Sequence, residues 1–229
     1  MTQETISIST GTQTMPIWRF SPSSPGPLVV VVPSIFGLTP DVAHVATHFA
    51  EAGAVVYAMD PFWRDGLGAL RIPQDSPKAI ARKKMITDQT VLSDLLATCD
   101  AGQRDAHCNG QRLLLGICFG GRFAMTVGQQ LGVDGIAIWH GSGLLPVVSP
   151  AALKGIALSM DFGAEDPLIP LSEVAVRKQR LAPHQPEIRV HADAGHGFTH
   201  WGSDRCVPAA AAASENGVID MIKGLQAEA

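Results

Sequence analysis

The chain has 229 residues, 46% of them apolar, and a formal net charge of −4. That length suits one α/β domain of about 200–250 residues built on one large core. The weak net charge argues against an extended nucleic-acid or anionic-membrane surface, although one local Arg or Lys would suffice to hold a small anion.

In chain order, Met1–Thr10 carries an acid and no base, so no secretory signal is expected. Ile17–Phe20 reads as an edge strand and Ser21–Pro27 as a turn. Leu28–Val32 is a continuous β-branched run, the pattern of a strand buried on both faces. The apolar stretch Leu28–Leu38 is broken by Pro33 and Ser34 and falls short of the roughly 20 residues of a membrane helix, so a soluble, cytoplasmic chain is expected. Val42, Val45, Phe49 and Ala50 predict a helix over Asp41–Ala52, with Gly53 as its stop. Ala54–Ala58 predicts a second buried strand and Ala79–Cys99 one long helix. Arg112–Ile117 follows as a strand and Gly121–Gln130 as a helix. Further strands are expected at Ile136–Trp139, Ile156–Met160 and Glu187–His191, with a helix over Leu171–Leu181. The alanine run after Pro208, continued by Val218, Ile219 and Ile222, predicts a closing helix. No repeat or linker interrupts the chain, so a single domain over 1–229 is expected.

Strands alternating with helices imply a mainly parallel sheet covered on both faces. Ligands in such sheets bind beyond the carboxyl ends of the strands. Four turns lie there: Pro33–Gly37, Gly116–Gly121, Phe162–Asp166 and Ala194–Phe198.

Gly116-Ile117-Cys118-Phe119-Gly120-Gly121 has the form of a Gly-x-nucleophile-x-Gly elbow between strand and helix. The helix N-terminus that follows favours a thiolate and offers N–H groups to an oxyanion. The plainer reading is a buried cysteine in a Gly-rich turn. A phosphate loop fits poorly, because Arg122 and Phe123 stand where its Lys and Ser/Thr belong. A thiol nucleophile needs a base, and the base needs an orienting partner. His196, between two glycines, is the candidate base, or else a surface turn histidine. Asp166 is the candidate orienter, or else a turn aspartate before Pro167, with Glu165 as its neighbour and rival. Nucleophile, acid, histidine is the chain order of α/β-hydrolases.

The cysteine elbow, the Gly163–Pro167 turn, Ala194-Gly195-His196-Gly197-Phe198 and Ser34-Ile35-Phe36-Gly37 together resemble the dienelactone hydrolase family over nearly the whole chain. The resemblance implies an α/β-hydrolase fold, with Cys118 as nucleophile, His196 as base and Asp166 as orienter. It also implies an oxyanion hole from the backbone N–H groups of Ile35 and Phe119, and lactone hydrolysis through an acyl-thioester. No cofactor or metal is implied. Two positions depart from the family: Ser34 stands in place of a glutamate, and His200 in place of an arginine that grips the substrate carboxylate. Histidine lacks the bidentate fork of arginine and holds an anion more weakly. Arg82, Lys83 and Lys78 are candidates for a second family arginine. Ser34, Phe36, His200, Trp201 and Arg82 are therefore the expected substrate contacts, and the expected substrate is a neutral lactone, a simple ester or a thioester.

The remaining cysteines, Cys99, Cys108 and Cys206, match no zinc spacing and read as reduced thiols. His44 and His48 stand one helical turn apart, as do His196 and His200. His44–His48 lacks the glutamate of a His-Glu-x-x-His motif and reads as a surface or packing pair. Phe36, Trp63, Trp139, Phe198 and Trp201 are divided between core and pocket wall. The competing function is a non-catalytic or redox-responsive binding protein on the same fold; a peptidase or thioesterase is weaker. The expected partner is a small ester or lactone, with no nucleic acid or membrane, and the chain is expected to be a monomer or weak homo-oligomer.

Overall fold

Leu28, Val30 and Val32 point to one side of a strand and Val29 and Val31 to the other, and all five are fully buried. A strand with that pattern must be covered by helices on both faces. A computed structural model describes residues 2–11 and 13–227 and shows that arrangement. Met1, Thr12, Glu228 and Ala229, which belong to the expected 1–229 span, lie outside the described residues.

Among the described residues, eight strands form one sheet: β1 (Thr2–Ser9), β2 (Thr14–Ser21), β3 (Gly26–Val32), β4 (Val55–Met59), β5 (Cys108–Ile117), β6 (Gly135–Trp139), β7 (Ala157–Gly163) and β8 (Glu187–His191). Their order across the sheet is β1-β2-β4-β3-β5-β6-β7-β8. β1 and β2 run antiparallel to their neighbours, and β3 to β8 are mutually parallel. The helices are α1 (Pro40–Glu51), α2 (Ser76–Met85), α3 (Asp88–Gln103), α4 (Gly120–Leu131), α5 (Leu171–Leu181) and α6 (Pro208–Ala227). α1 and α6 cover the Val29–Val31 face through Val45, Phe49, Val218 and Ile222. α3, α4 and α5 cover the opposite face through Leu95, Phe123 and Val174. Among the described residues, no helix is long and apolar enough to cross a membrane.

Two sequence expectations are corrected. Ile17–Phe20 is not an edge: it lies in β2, paired with β1 on one side and β4 on the other. The edge is β1, a mostly exposed strand whose only apolar residues, Ile6 and Ile8, leave little hydrophobic signal. The long helix expected over Ala79–Cys99 is two helices. Ile86 adopts an extended backbone, and Thr87 starts α3 by accepting a hydrogen bond from the Thr90 amide at 3.2 Å. A threonine cap opens a new helix here, although the apolar periodicity runs on through it.

The site end of the sheet is pinned by an ion pair whose carboxylate is fully buried. Arg189 of β8 donates from Nε and Nη2 to the two oxygens of Asp161 in β7, both at 2.8 Å. Burial alone would raise the Asp161 carboxyl, but Arg189 and His191 outweigh it and hold the group below its ordinary value.

Phe49 is fully buried and meets Trp139 edge-on at 6.3 Å between ring centroids. Phe49→Ala is expected to lower the unfolding free energy by about 3–5 kcal/mol. Urea denaturation measures it; a loss below about 1 kcal/mol would contradict the packing of α1 on the sheet.

Candidate active site

Cys118 follows the last residue of β5 and precedes α4. Its φ is +53°, a left-handed conformation that a non-glycine residue holds only where its surroundings impose it. Its backbone is fixed on both sides: its amide donates to the Trp139 carbonyl at 2.9 Å, and its carbonyl accepts from Gly121 at 3.1 Å. The turn is tight because α4 begins against the end of β3. A Cβ on Gly120 would sit 2.1 Å from the Val32 carbonyl oxygen, so only glycine fits there.

The other two candidates arrive from neighbouring strand ends. Asp166 lies in the turn after β7, and one of its oxygens is held within that turn. Oδ1 accepts from the amides of Leu168 at 2.8 Å and Ile169 at 3.2 Å. Oδ2 is left to face His196 Nδ1 at 2.7 Å. The turn reading and the orienting reading of Asp166 are thus compatible, one oxygen serving each. The loop carrying His196 is bonded to the Asp166 turn through Glu165 N–H to Ala194 O at 3.0 Å. That approach also demands a glycine: a Cβ on Gly163 would lie 2.1 Å from Ala194 O. His196 Nε2 reaches Cys118 Sγ at 3.1 Å. Three groups from three separate turns therefore form one continuous chain of contacts.

Ser34 is buried, and its Oγ accepts weakly from the Phe36 amide at 3.4 Å. Among the described residues, the amides of Ile35 and Phe119 have no hydrogen-bond acceptor. Phe36 is buried against Leu70 and Ala79. His200 is buried near the triad, 5.4 Å from His140 between ring centroids, but its Nδ1 is committed to Asp41 Oδ2 at 2.7 Å. Arg82 is not free: its Nε and Nη2 donate to Asp65 at 2.8 and 2.9 Å, its Nη1 donates to Gly68 O, and its guanidinium lies over Phe62. Trp201 turns away toward α6, donating to Glu215 at 3.1 Å. Trp139 and Phe198 are core residues, 1% and 0% exposed. A cavity of about 730 Å³ opens beyond Phe62, lined by Leu67, Ala81, Met85 and Ile86, and no triad residue lines it. Phe62 separates the two places by packing on Phe119 at 5.4 Å between centroids.

Sequence reasoning missed His140. It follows β6, takes a positive φ of +38° and is fully buried. Its Nε2 is 2.8 Å from Thr199 Oγ1, and its ring stands edge-on to His196 at 5.0 Å. Burial, reinforced by the neighbouring His196 and His200, pushes its pKa well below the ordinary value, so it is a neutral imidazole backing a charged one. The available signal was its place at the carboxyl end of a central strand.

A model of the dienelactone hydrolase family matches residues 16–227. A carboxymethylenebutenolidase from Rhodococcus opacus is 30% identical over 219 residues, covering 90% of this chain and 84% of its own. One from Pseudomonas sp. strain P51 is 26% identical over 205 residues, covering 88% and 86%. Among solved structures, a dienelactone hydrolase-like promiscuous phosphotriesterase from metagenomic libraries superposes with a TM-score of 0.77 at 21% identity, covering 98% of each chain. Dienelactone hydrolase from Anabaena variabilis gives 0.68 at 17% identity, again covering 98% of each. The fold is therefore that of an α/β-hydrolase, as expected.

Burial pulls the His196 pKa down, but the hydrogen bonds to Asp166 and Cys118 outweigh it and lift the group to about 9. Its folded value thus lies above the ordinary 6.5, so protonation of His196 stabilises the folded chain. That contribution is complete below about pH 6.5 and is lost as pH rises through about 9. Asp166→Asn is expected to move the His196 titration midpoint, followed by NMR, from about 9 toward 6.5. The decline in stability between those pH values should shrink with it; an unmoved midpoint would mean that Asp166 does not govern this ring.

Proposed function

The chain belongs to the dienelactone hydrolase family, and from that premise we propose that it hydrolyses a small carboxylic ester or lactone through Cys118, His196 and Asp166. One observation carries the reading: His196 stands between the thiol and the carboxylate, 3.1 Å from Sγ and 2.7 Å from Oδ2. The Cys118 sulfur attacks the carbonyl carbon, and the resulting oxyanion is held by the Ile35 and Phe119 amides. Collapse of this intermediate breaks the bond to the alkoxy oxygen, which takes a proton from His196 Nε2 and leaves as the alcohol. For a lactone the alcohol stays tethered. The acyl group remains on sulfur as a thioester. A water molecule then gives its proton to His196 and attacks the thioester, releasing the acid and returning the proton to the thiol–imidazole pair. Asp166 holds the ring in one orientation and stabilises its charged form throughout.

The substrate is a neutral ester, lactone or thioester rather than an anionic dienelactone. His200 is held by Asp41 and Arg82 by Asp65, so neither is free to grip an anion. Without the family glutamate, His196 itself takes the thiol proton. The reading also treats the chain as one catalytic domain working without a cofactor.

With p-nitrophenyl acetate, a burst of about one nitrophenol per chain is expected, followed by slower turnover. Cys118→Ala should abolish the burst and lower kcat/KM by about 1,000-fold or more. With an alkyl ester or lactone, whose alkoxide must take a proton to leave, the alkaline limb of kcat/KM should fall near pH 9, where His196 loses its proton. Unaltered hydrolysis by Cys118→Ala, or sulfenic acid at Cys118 without turnover, would remove the proposal.

A charge-assisted hydrogen bond to a substrate carboxylate contributes about 1.5–3 kcal/mol, or roughly 10- to 100-fold. Without such a bond, kcat/KM for carboxylate-bearing lactones should not exceed that for matched neutral ones. A preference for the anions would show that a free cation serves the site.

A further inference from the structure

We propose that His44, His48 and Glu215 form a binding site for one divalent transition-metal ion of the zinc type. The site is separate from the hydrolase reading and does not depend on it. His44 and His48 lie one turn apart on α1, so both rings leave the same face of the helix. Their centroids are 4.4 Å apart. Glu215 reaches them from α6. His44 Nε2 is 3.8 Å from Glu215 Oε2, and His48 Nδ1 contacts Oε1. A donor atom from each of the three residues lies within 4.8 Å of the other two.

The burial of these groups suits an ion. The Glu215 side chain is 8% exposed, and each imidazole is 40% exposed. The carboxylate forms the floor and the rings form walls open to solvent, leaving room for a water as a further ligand. Among the described residues, no Lys or Arg pairs with Glu215. Its partners are the two imidazoles and Trp201 Nε1, which donates at 3.1 Å. A buried carboxylate with no permanent cation beside it is costly, and a bound divalent ion removes that cost. Two nitrogen ligands and one oxygen select a transition metal over Ca²⁺ or Mg²⁺, which favour oxygen ligands. Around a tetrahedral ion, donor atoms stand roughly 3.3 Å apart, within small side-chain rotations of the observed arrangement. The Trp201 donor orients the carboxylate from behind.

The ion would tie α6 to α1. Trp201 also packs on His44 at 5.1 Å between centroids, and it belongs to the loop that carries His196. Occupancy would therefore brace that loop from outside while leaving Cys118 untouched.

The test uses tag-free, metal-free Cys118→Ala protein, because Cys118, His140 and His196 form a second close trio that could hold zinc. Near neutral pH, competition with a chromophoric chelator should give one Zn²⁺ per chain, and Co²⁺ should develop visible absorption. His44→Ala and His48→Ala, each added to this background, should weaken binding at least about 10-fold, and the pair together should abolish it. At a hundred-fold excess over Kd, Zn²⁺ should raise Tm by about 5 °C or more in Cys118→Ala and not in the variant lacking both histidines. Circular dichroism confirms that the variants fold. No zinc uptake by Cys118→Ala, or undiminished uptake after loss of both histidines, overturns the site.

Discussion

Asp166 Oδ2 and His196 Nδ1 meet at 2.7 Å across two turns, and the arrangement of the site depends on that contact. The carboxylate cannot rotate away, because its other oxygen is bonded to two amides of its own turn. The imidazole so held presents its far nitrogen to the sulfur. It is also held charged, against a burial that would otherwise discharge it. Loosening either turn would separate the ring from the carboxylate before it disturbed the sheet.

Three kinds of information fared differently in the sequence. The elbow at Cys118 was legible because its constraint is local: the glycine that clears Val32 sits two residues from the cysteine it serves. The same holds for the strands of the parallel sheet, whose unbroken apolar runs report two covered faces. The break at Ile86–Thr87 and the strand Thr2–Ser9 were not legible, since a cap can interrupt a continuing apolar period and a mostly polar edge strand has almost none. Arg82 and Trp201 were legible as residue types and not as roles. Their partners, Asp65 and Glu215, are chosen by the tertiary fold, and no spacing in the sequence announces them. His140 is the converse case. Only its place after a central strand hints at it, yet folding buries it completely beside His196.

The polar groups around Cys118, His196 and Asp166 are mostly committed to one another. Asp41 holds His200, Asp65 holds Arg82, and Asp161 holds Arg189 and His191. Each pairing anchors a segment: α1 to the loop after β8, α2 to the turn after β4, and β8 to β7. The arginines and imidazoles near this end of the sheet thus serve as fastenings between elements.

Cys118 packs against both hydrophobic layers, the one under α3, α4 and α5 and the one under α1 and α6. The sulfur therefore marks the seam where two independently filled interiors meet. A volume change in either interior is transmitted to the same atom. Drift in the residues of one layer must then be matched in the other if the thiol is to keep its aim. For this chain, substitutions far from the turns that carry Cys118, His196 and Asp166 and on opposite faces of the sheet should be coupled in evolution.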